Sequence, residues 1–148
     1  MEAYKVISPE EREQLKAAIG KAEKRTSGEI RLFIEDHSED GPLDRAAFLF
    51  NQLKMNTTEL RNGVLIYVAF VDRKFSIIGD KGINEKVQAD FWDEIKKKML
   101  NHFREGRITN GLLEAIHESG EALAKHFPFN KGDSNELSDD IIFGDSNS

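Results

Sequence analysis

The sequence predicts an α/β fold, a three-layer α/β/α sandwich whose small mixed β-sheet joins a βαβ unit to an antiparallel hairpin. Three features predict it. Eight apolar residues run unbroken from Val64 to Val71. Successive side chains on a strand point to opposite faces, so such a run needs both faces covered and belongs in the middle of a sheet. A strand pattern at 29–35 and a helical pattern at about 44–55 precede that run, which makes the two strands parallel with a right-handed crossover. Asp72-Arg73 is too short for a further crossover, so the chain must turn back into an antiparallel strand over 75–79.

The remaining elements follow in order. Ser8-Pro9-Glu10-Glu11 is a helix start, with Ser8 as cap, Pro9 at the first helical position and Glu11 completing a capping box. Leu15, Ala18, Ile19 and Ala22 continue at helical spacing, and Thr26-Ser27-Gly28 stops the helix, with Gly28 placed to take a positive φ. Ile30, Leu32, Phe33 and Ile34 form the apolar content of the first strand, and the polar stretch 36–42 is a loop. Ala46, Leu49, Phe50 and Leu53 line one face of the second helix. Val87, Phe91, Ile95, Met99 and Phe103 recur every four residues and predict a helix over 84–105. Leu112, Ile116, Leu123 and Phe127 predict another over about 109–127.

One domain is expected over residues 1–130 of the 148. Residues 131–148 form an acidic tail with five acids and one Lys, a composition typical of disorder. Its apolar trio Ile141-Ile142-Phe143 points the other way, to a segment that docks on the body or pairs as an edge strand. A net charge of −6 argues against nucleic-acid binding, which draws on Lys and Arg, and suits metal cations or basic partners. The absence of Cys excludes disulfides, thiolate metal sites and Cys nucleophiles. No apolar run reaches the roughly 20 residues of a membrane span, and the opening MEAYKVISPEE lacks the pattern of a secretion signal. A cytoplasmic location is the expectation.

Three acidic constellations are candidates. Asp36, Ser38 and Asp40, followed by Gly41 and Asp44, imitate the first half of a calcium-binding EF-hand loop. Ala47 stands where the bidentate Glu belongs and a strand precedes the loop, so the EF-hand reading fails. A solvated loop and a cation site closed by other loops both remain open. Asp72 follows the second strand, and parallel strands bring their C-terminal ends to one edge, where open α/β sheets bind ligands. Asp36, Asp40, Asp44 and Asp72 thus form a hard oxygen set suited to calcium or magnesium, set against a plain turn role for Asp72. At the opposite edge Glu29, Arg61-Asn62 and Asp80 converge, either as a second acidic site or as an ion-pair network with Arg61 and Arg31. The four histidines show no metal-ligand spacing, and no nucleophile or phosphate-loop motif is present.

In order and spacing, Ser27-Gly28-Glu29-Ile30, Arg61-Asn62-Gly63-Val64-Leu65, Asp72-Arg73-Lys74 and Gly79-Asp80-Lys81-Gly82-Ile83 resemble the motifs of the TPM-domain family over roughly residues 8–128. That family includes a thylakoid-lumen protein of photosystem II repair described as an acid phosphatase. The stretch from Asn135-Glu136-Leu137 to Phe143 is similar to the ending of a bacterial subgroup. The resemblance implies an α/β/α fold, divalent-cation binding by calcium or magnesium, and a debated phosphatase activity, with the family's acidic positions falling on Glu29, Asp72 and Asp80. The signal peptide and membrane anchor of many relatives are not in this sequence. Gly-Asp-Lys-Gly stands here in place of the family's common Gly-Tyr-Gly after the third strand.

Three functions are weighed from these features. The first is a non-catalytic cation-binding domain. The second is a metal-assisted phosphatase with Asp72 or a neighbour as base, since paired-Asp and Cys phosphatase motifs are missing. The third is an interaction module whose acidic tail or open sheet edge recruits a protein partner.

Overall fold

The computed structural model describes residues 2–129 and 141–144. Its elements are α1 (Ala3–Val6), α2 (Pro9–Glu23), β1 (Glu29–Glu35), α3 (Pro42–Gln52), a 3₁₀ turn (Met55–Thr57), β2 (Gly63–Ala69), β3 (Lys74–Gly79), α4 (Lys81–Asn84), α5 (Phe91–Arg104), α6 (Ile108–His126) and β4 (Ile141–Phe143). The sheet order is β3-β2-β1-β4, with β1 parallel to β2 and to β4, and β2 antiparallel to β3. This is the mixed sheet that the βαβ unit and the short return turn dictate.

The period-2 alternation of strand side chains sorts the core into two layers. Ile30, Leu32 and Ile34 of β1 and Val64, Ile66 and Val68 of β2 meet α2, α5 and α6 on one face. Phe33 of β1 and Leu65, Tyr67 and Ala69 of β2 meet Ala46, Leu49 and Phe50 of α3 and Met55 on the other. Every residue of β1 and β2 is buried. Covering both faces is what makes the continuous apolar run of β2 necessary, and each fully buried aliphatic chain contributes about 1.5–3 kcal/mol.

The capping box of α2 forms as the sequence dictates: Glu11 N–H donates to Ser8 Oγ at 3.1 Å and Ser8 N–H to Glu11 Oε1 at 3.0 Å. Two local expectations are corrected. Gly28 does not take a positive φ; Gly106 is the only glycine that does among the described residues. The helix ends through a right-handed Lys24, and Gly28 is required by crowding, since a Cβ there would lie 2.8 Å from Leu123 Cδ2 and 3.0 Å from the Asn62 carbonyl. The expected helix over 84–105 begins only at Phe91 as α5, and a separate short helix, α4, ends at Asn84. Asp80 caps α4, and the Asn84 amide donates to the Gly79 carbonyl at 2.8 Å while accepting from Trp92 Nε1 at 2.7 Å, so the chain turns back at Asn84. Between them only Val87 of residues 85–90 is part-buried, too little apolar surface to hold a continuous helix against the core.

The trio 141–143 pairs as an edge strand beside β1, one of the two outcomes expected of it. The Phe143 ring stacks on Tyr4 at 4.7 Å, with the Arg12 guanidinium over Tyr4 at 5.0 Å. Residues 130–140 and 145–148, which carry the rest of the tail expectation, lie outside the described residues. Among the described residues no helix is long and apolar enough to cross a membrane.

Candidate functional site

The register Glu29↔Gly63 through Glu35↔Ala69 places the C-terminal ends of β1 and β2 side by side, so the residues after them share one edge. Beyond the strands the pairing continues through main chain: Val71 N–H donates to the Asp36 carbonyl at 2.8 Å and Asp72 N–H to the same oxygen at 3.2 Å. Asp36 and Asp72 are thereby brought together on a rigid edge, as the parallel topology requires. Arg73 then reverses the chain with φ 56°, a left-handed conformation uncommon outside Gly and Asn.

Each carboxylate at this edge has its own setting. Asp72 Oδ2 accepts Ser38 N–H at 2.7 Å and its Oδ1 lies 2.9 Å from His37 Nδ1. The His37 contact first, and the Ser38 N–H second, hold the Asp72 carboxyl below its ordinary range, and the same contact raises His37. Asp72 is therefore an anion in water at neutral pH, with its side chain still 27% exposed. The Asp36 carboxylate is buried and turned the other way, accepting Glu2 N–H at 3.2 and 3.3 Å. That bond fixes the single turn of α1, which would not persist alone. Asp40 and Asp44 are exposed, Asp44 in the first turn of α3. Among the described residues no three His, Cys, Asp or Glu side chains stand together as a ready-made metal group.

A second buried polar set backs this edge on the α3 side. Glu35, buried at the end of β1, accepts Arg45 Nε at 2.8 Å and Nη2 at 3.0 Å and the Tyr67 hydroxyl of β2. Burial, and then this carboxylate, push the Tyr67 phenol far above its usual range, so it stays a donor. The bidentate Arg–carboxylate pair ties α3 to the sheet directly under loop 36–41.

The opposite edge is built differently. Arg61 donates from Nε to Asp80 Oδ2 at 2.7 Å and from Nη2 to Oδ1 at 2.9 Å, and Lys81 N–H caps onto Oδ1 at 2.7 Å. Gly82 N–H donates to the Arg61 carbonyl at 2.7 Å, and a Cβ on Gly82 would lie 2.6 Å from that oxygen. Arg61 itself has φ 53°. The Arg61-Asn62-Gly63 and Gly79-Asp80-Lys81-Gly82 motifs are thus the two halves of one clasp closing β2 against β3 and α4. Glu29 is buried at the start of β1, its N–H donating to the Asn62 carbonyl at 3.3 Å. Arg31 lies on the α3 side and donates from Nη1 to the Leu53 carbonyl at 3.3 Å.

Sequence reasoning placed Asp36 and Asp72 on one edge and Glu29 and Asp80 on the other. It missed His37 as the partner of Asp72, and the Glu35–Arg45–Tyr67 set. His37 shows no metal-ligand spacing, and its contact with Asp72 spans 35 positions. The signal that carries it is a His directly after strand one facing an Asp directly after strand two.

Comparison with known proteins agrees with this architecture. The TPM domain family matches residues 2–122. The solution structure of the BA42 protein from the psychrophilic bacterium Bizionia argentinensis superimposes with a TM-score of 0.86 at 47% identity, over 93% of this chain and 95% of that one. The N-terminal domain of a protein from P. gingivalis shares the fold, with a TM-score of 0.68 at 21% identity over 84% and 83% of the two chains. No curated protein matches the chain. With a family match over most of its length and a near-full-length relative of the same fold, this chain belongs to the TPM-domain family.

Proposed function

We propose that the chain is a non-catalytic domain that binds one hard divalent cation, calcium or magnesium, at the crossover edge, with Asp72 as its anchor. The observation that carries this reading is the pairing of Asp72 with His37, a partner whose charge depends on pH, on an edge that also presents Asp40 and Asp44. A carboxylate kept ionised and exposed at such an edge offers oxygen to a hard ion, which displaces the proton-bearing imidazole. Asp72 would supply one oxygen ligand, and the exposed Asp40 and Asp44 are the nearest further carboxylates along the same edge, although the three do not stand together as a formed group. Asp36 contributes through its position beside Asp72, its carboxylate already engaged by Glu2 N–H. Glu29 and Asp80 fall outside this reading, since Asp80 already holds a guanidinium. Membership of the TPM family, for which cation binding is the implied property, adds support.

Isothermal titration of chelator-treated protein tests this. The expected result is saturable one-to-one heat with calcium or magnesium, lost in Asp72→Asn. At a hundredfold excess over Kd the ion adds about 2.7 kcal/mol of stability, seen as a raised melting temperature. Absence of heat together with an unchanged melting temperature overturns the reading.

The His37–Asp72 pair also has the form of an acid–base dyad, which gives the phosphatase alternative its one foothold. That alternative requires turnover of p-nitrophenyl phosphate that disappears with chelator and in Asp72→Asn. Turnover indifferent to both belongs to a contaminant.

A further inference from the structure

A line of polar groups crosses the α3 layer of the core and ends at Asp72. Tyr67 stands fully buried among Phe33, Leu49, Phe50, Met55 and Leu65. Its hydroxyl donates to Glu35, which the Arg45 fork holds in turn. Ser38 is 4% exposed, and its Oγ is buried with no hydrogen-bond partner at good geometry among the described residues. That Oγ nevertheless lies against the Tyr67 hydroxyl. Burial and then Glu35 raise the phenol, and Ser38 acts against them, as a hydroxyl turned toward the phenol oxygen does. The N–H of the same Ser38 donates to Asp72 Oδ2 at 2.7 Å.

Neither packing nor the neighbouring ion pair needs the Tyr67 hydroxyl. A Phe ring fills the same space in the layer, and Arg45 engages both oxygens of Glu35 by itself. A buried hydroxyl costs stability unless it is hydrogen-bonded. What this one adds is its contact with Ser38. Ser38 joins the two ends of the line, its side chain against Tyr67 and its main chain on Asp72.

We propose that Tyr67 is a positioning residue for the Asp72 anchor: its hydroxyl seats Ser38, and the Ser38 N–H fixes Asp72 Oδ2. Oδ1, which lies 2.9 Å from His37, is then the oxygen left for an incoming ion. Removing a group that orients a metal ligand from behind commonly weakens metal binding by about tenfold or more. This role rests on the cation reading, but the hydrogen bond from Ser38 to Asp72 can be followed without any ion.

The test compares the full chain, chelator-treated, with Tyr67→Phe, Ser38→Ala and Leu49→Ala. Leu49→Ala loosens the same apolar layer away from the polar line and serves as the control. Amide NMR of the ion-free proteins comes first. In Tyr67→Phe the Ser38 amide proton should move upfield and exchange faster, and in Leu49→Ala it should stay where it is. The Phe ring keeps its ring current, so the shift reports the hydrogen bond to Asp72. Calcium should then bind about tenfold more weakly in Tyr67→Phe and unchanged in Leu49→Ala. The Tyr67→Phe, Ser38→Ala double variant should bind no more weakly than Ser38→Ala alone, since the two groups act in one line. An unaltered Ser38 amide in Tyr67→Phe overturns the role, as does a loss of affinity that Leu49→Ala reproduces or that adds in full in the double variant. If the unaltered protein binds neither calcium nor magnesium, the cation reading falls, and the amide comparison still decides whether Tyr67 positions Asp72.

Discussion

The two edges of the sheet both gather carboxylates, and they neutralise them by different means. At the edge where β1 and β2 begin, Asp80 is clamped by both nitrogens of the Arg61 fork and by the Lys81 N–H. At the edge where those strands end, Asp72 is met by a backbone N–H and by an imidazole that loses its charge with rising pH. A guanidinium is a permanent countercharge and makes the first edge a structural joint. An imidazole is a removable one and leaves the second edge open to exchange. Acidic content alone does not separate the two edges; the identity of the countercharge does.

Substitutions should expose that contrast, beginning with the clasp. Gly82→Ala forces a Cβ into the Leu60 and Arg61 carbonyls, and a loss of about 3 kcal/mol is expected from such overpacking, read by denaturant unfolding. An unchanged midpoint would show that the clasp yields at little cost. Asp80→Ala removes the cap of α4 and the partner of Arg61. The expected loss is about 1–2 kcal/mol, mostly from the cap, because the Arg61 side chain is half exposed and solvates itself. Cation binding at the crossover edge should survive this change.

Asp72→Asn, at the other edge, should leave the unfolding midpoint almost unchanged, as at other surface sites. It should nevertheless abolish the calorimetric response to calcium and magnesium. A large destabilisation with binding intact would reverse the roles assigned to the two edges. The smallest effect concerns pH. The folded pKa of His37 is raised, so its contact contributes stability that is fully present below about 6.5 and is lost as pH rises through the folded value. The folded pKa of Asp72 is lowered, so its contribution is present above the ordinary carboxyl value of 3.8 and is lost as pH falls through the folded value. The pair is therefore at its strongest in mildly acidic solution. An NMR titration should place His37 above the ordinary imidazole value in the native protein and lower in Asp72→Asn.

Much of this contrast was legible in the sequence. The run 64–71 could only be a central strand, and the brevity of Asp72-Arg73 could only reverse the chain; together they set which residues share an edge. The capping box at Ser8 and the last long helix, expected over about 109–127 and found as Ile108–His126, were equally local and equally plain. What stayed hidden depends on contacts distant in sequence. The break between α4 and α5 is made by Asn84 reaching Gly79 and Trp92, within a four-residue periodicity that reads as continuous helix. The requirement for Gly28 comes from Leu123 of α6, which no local pattern reveals. For the site, the sequence supplied the acids and their two edges, and Arg61 as a possible partner of Asp80. It left His37 unassigned, because a partner 35 residues away becomes visible only when the parallel register is known.

The most direct test of the central claim is an amide-resolved NMR titration of chelator-treated protein with calcium and then magnesium. The account predicts saturable shifts concentrated at 36–44 and at 72, with 29, 62 and 80 unmoved. Saturable shifts at 29, 62 and 80 instead, or no saturable shift with either ion, would contradict it.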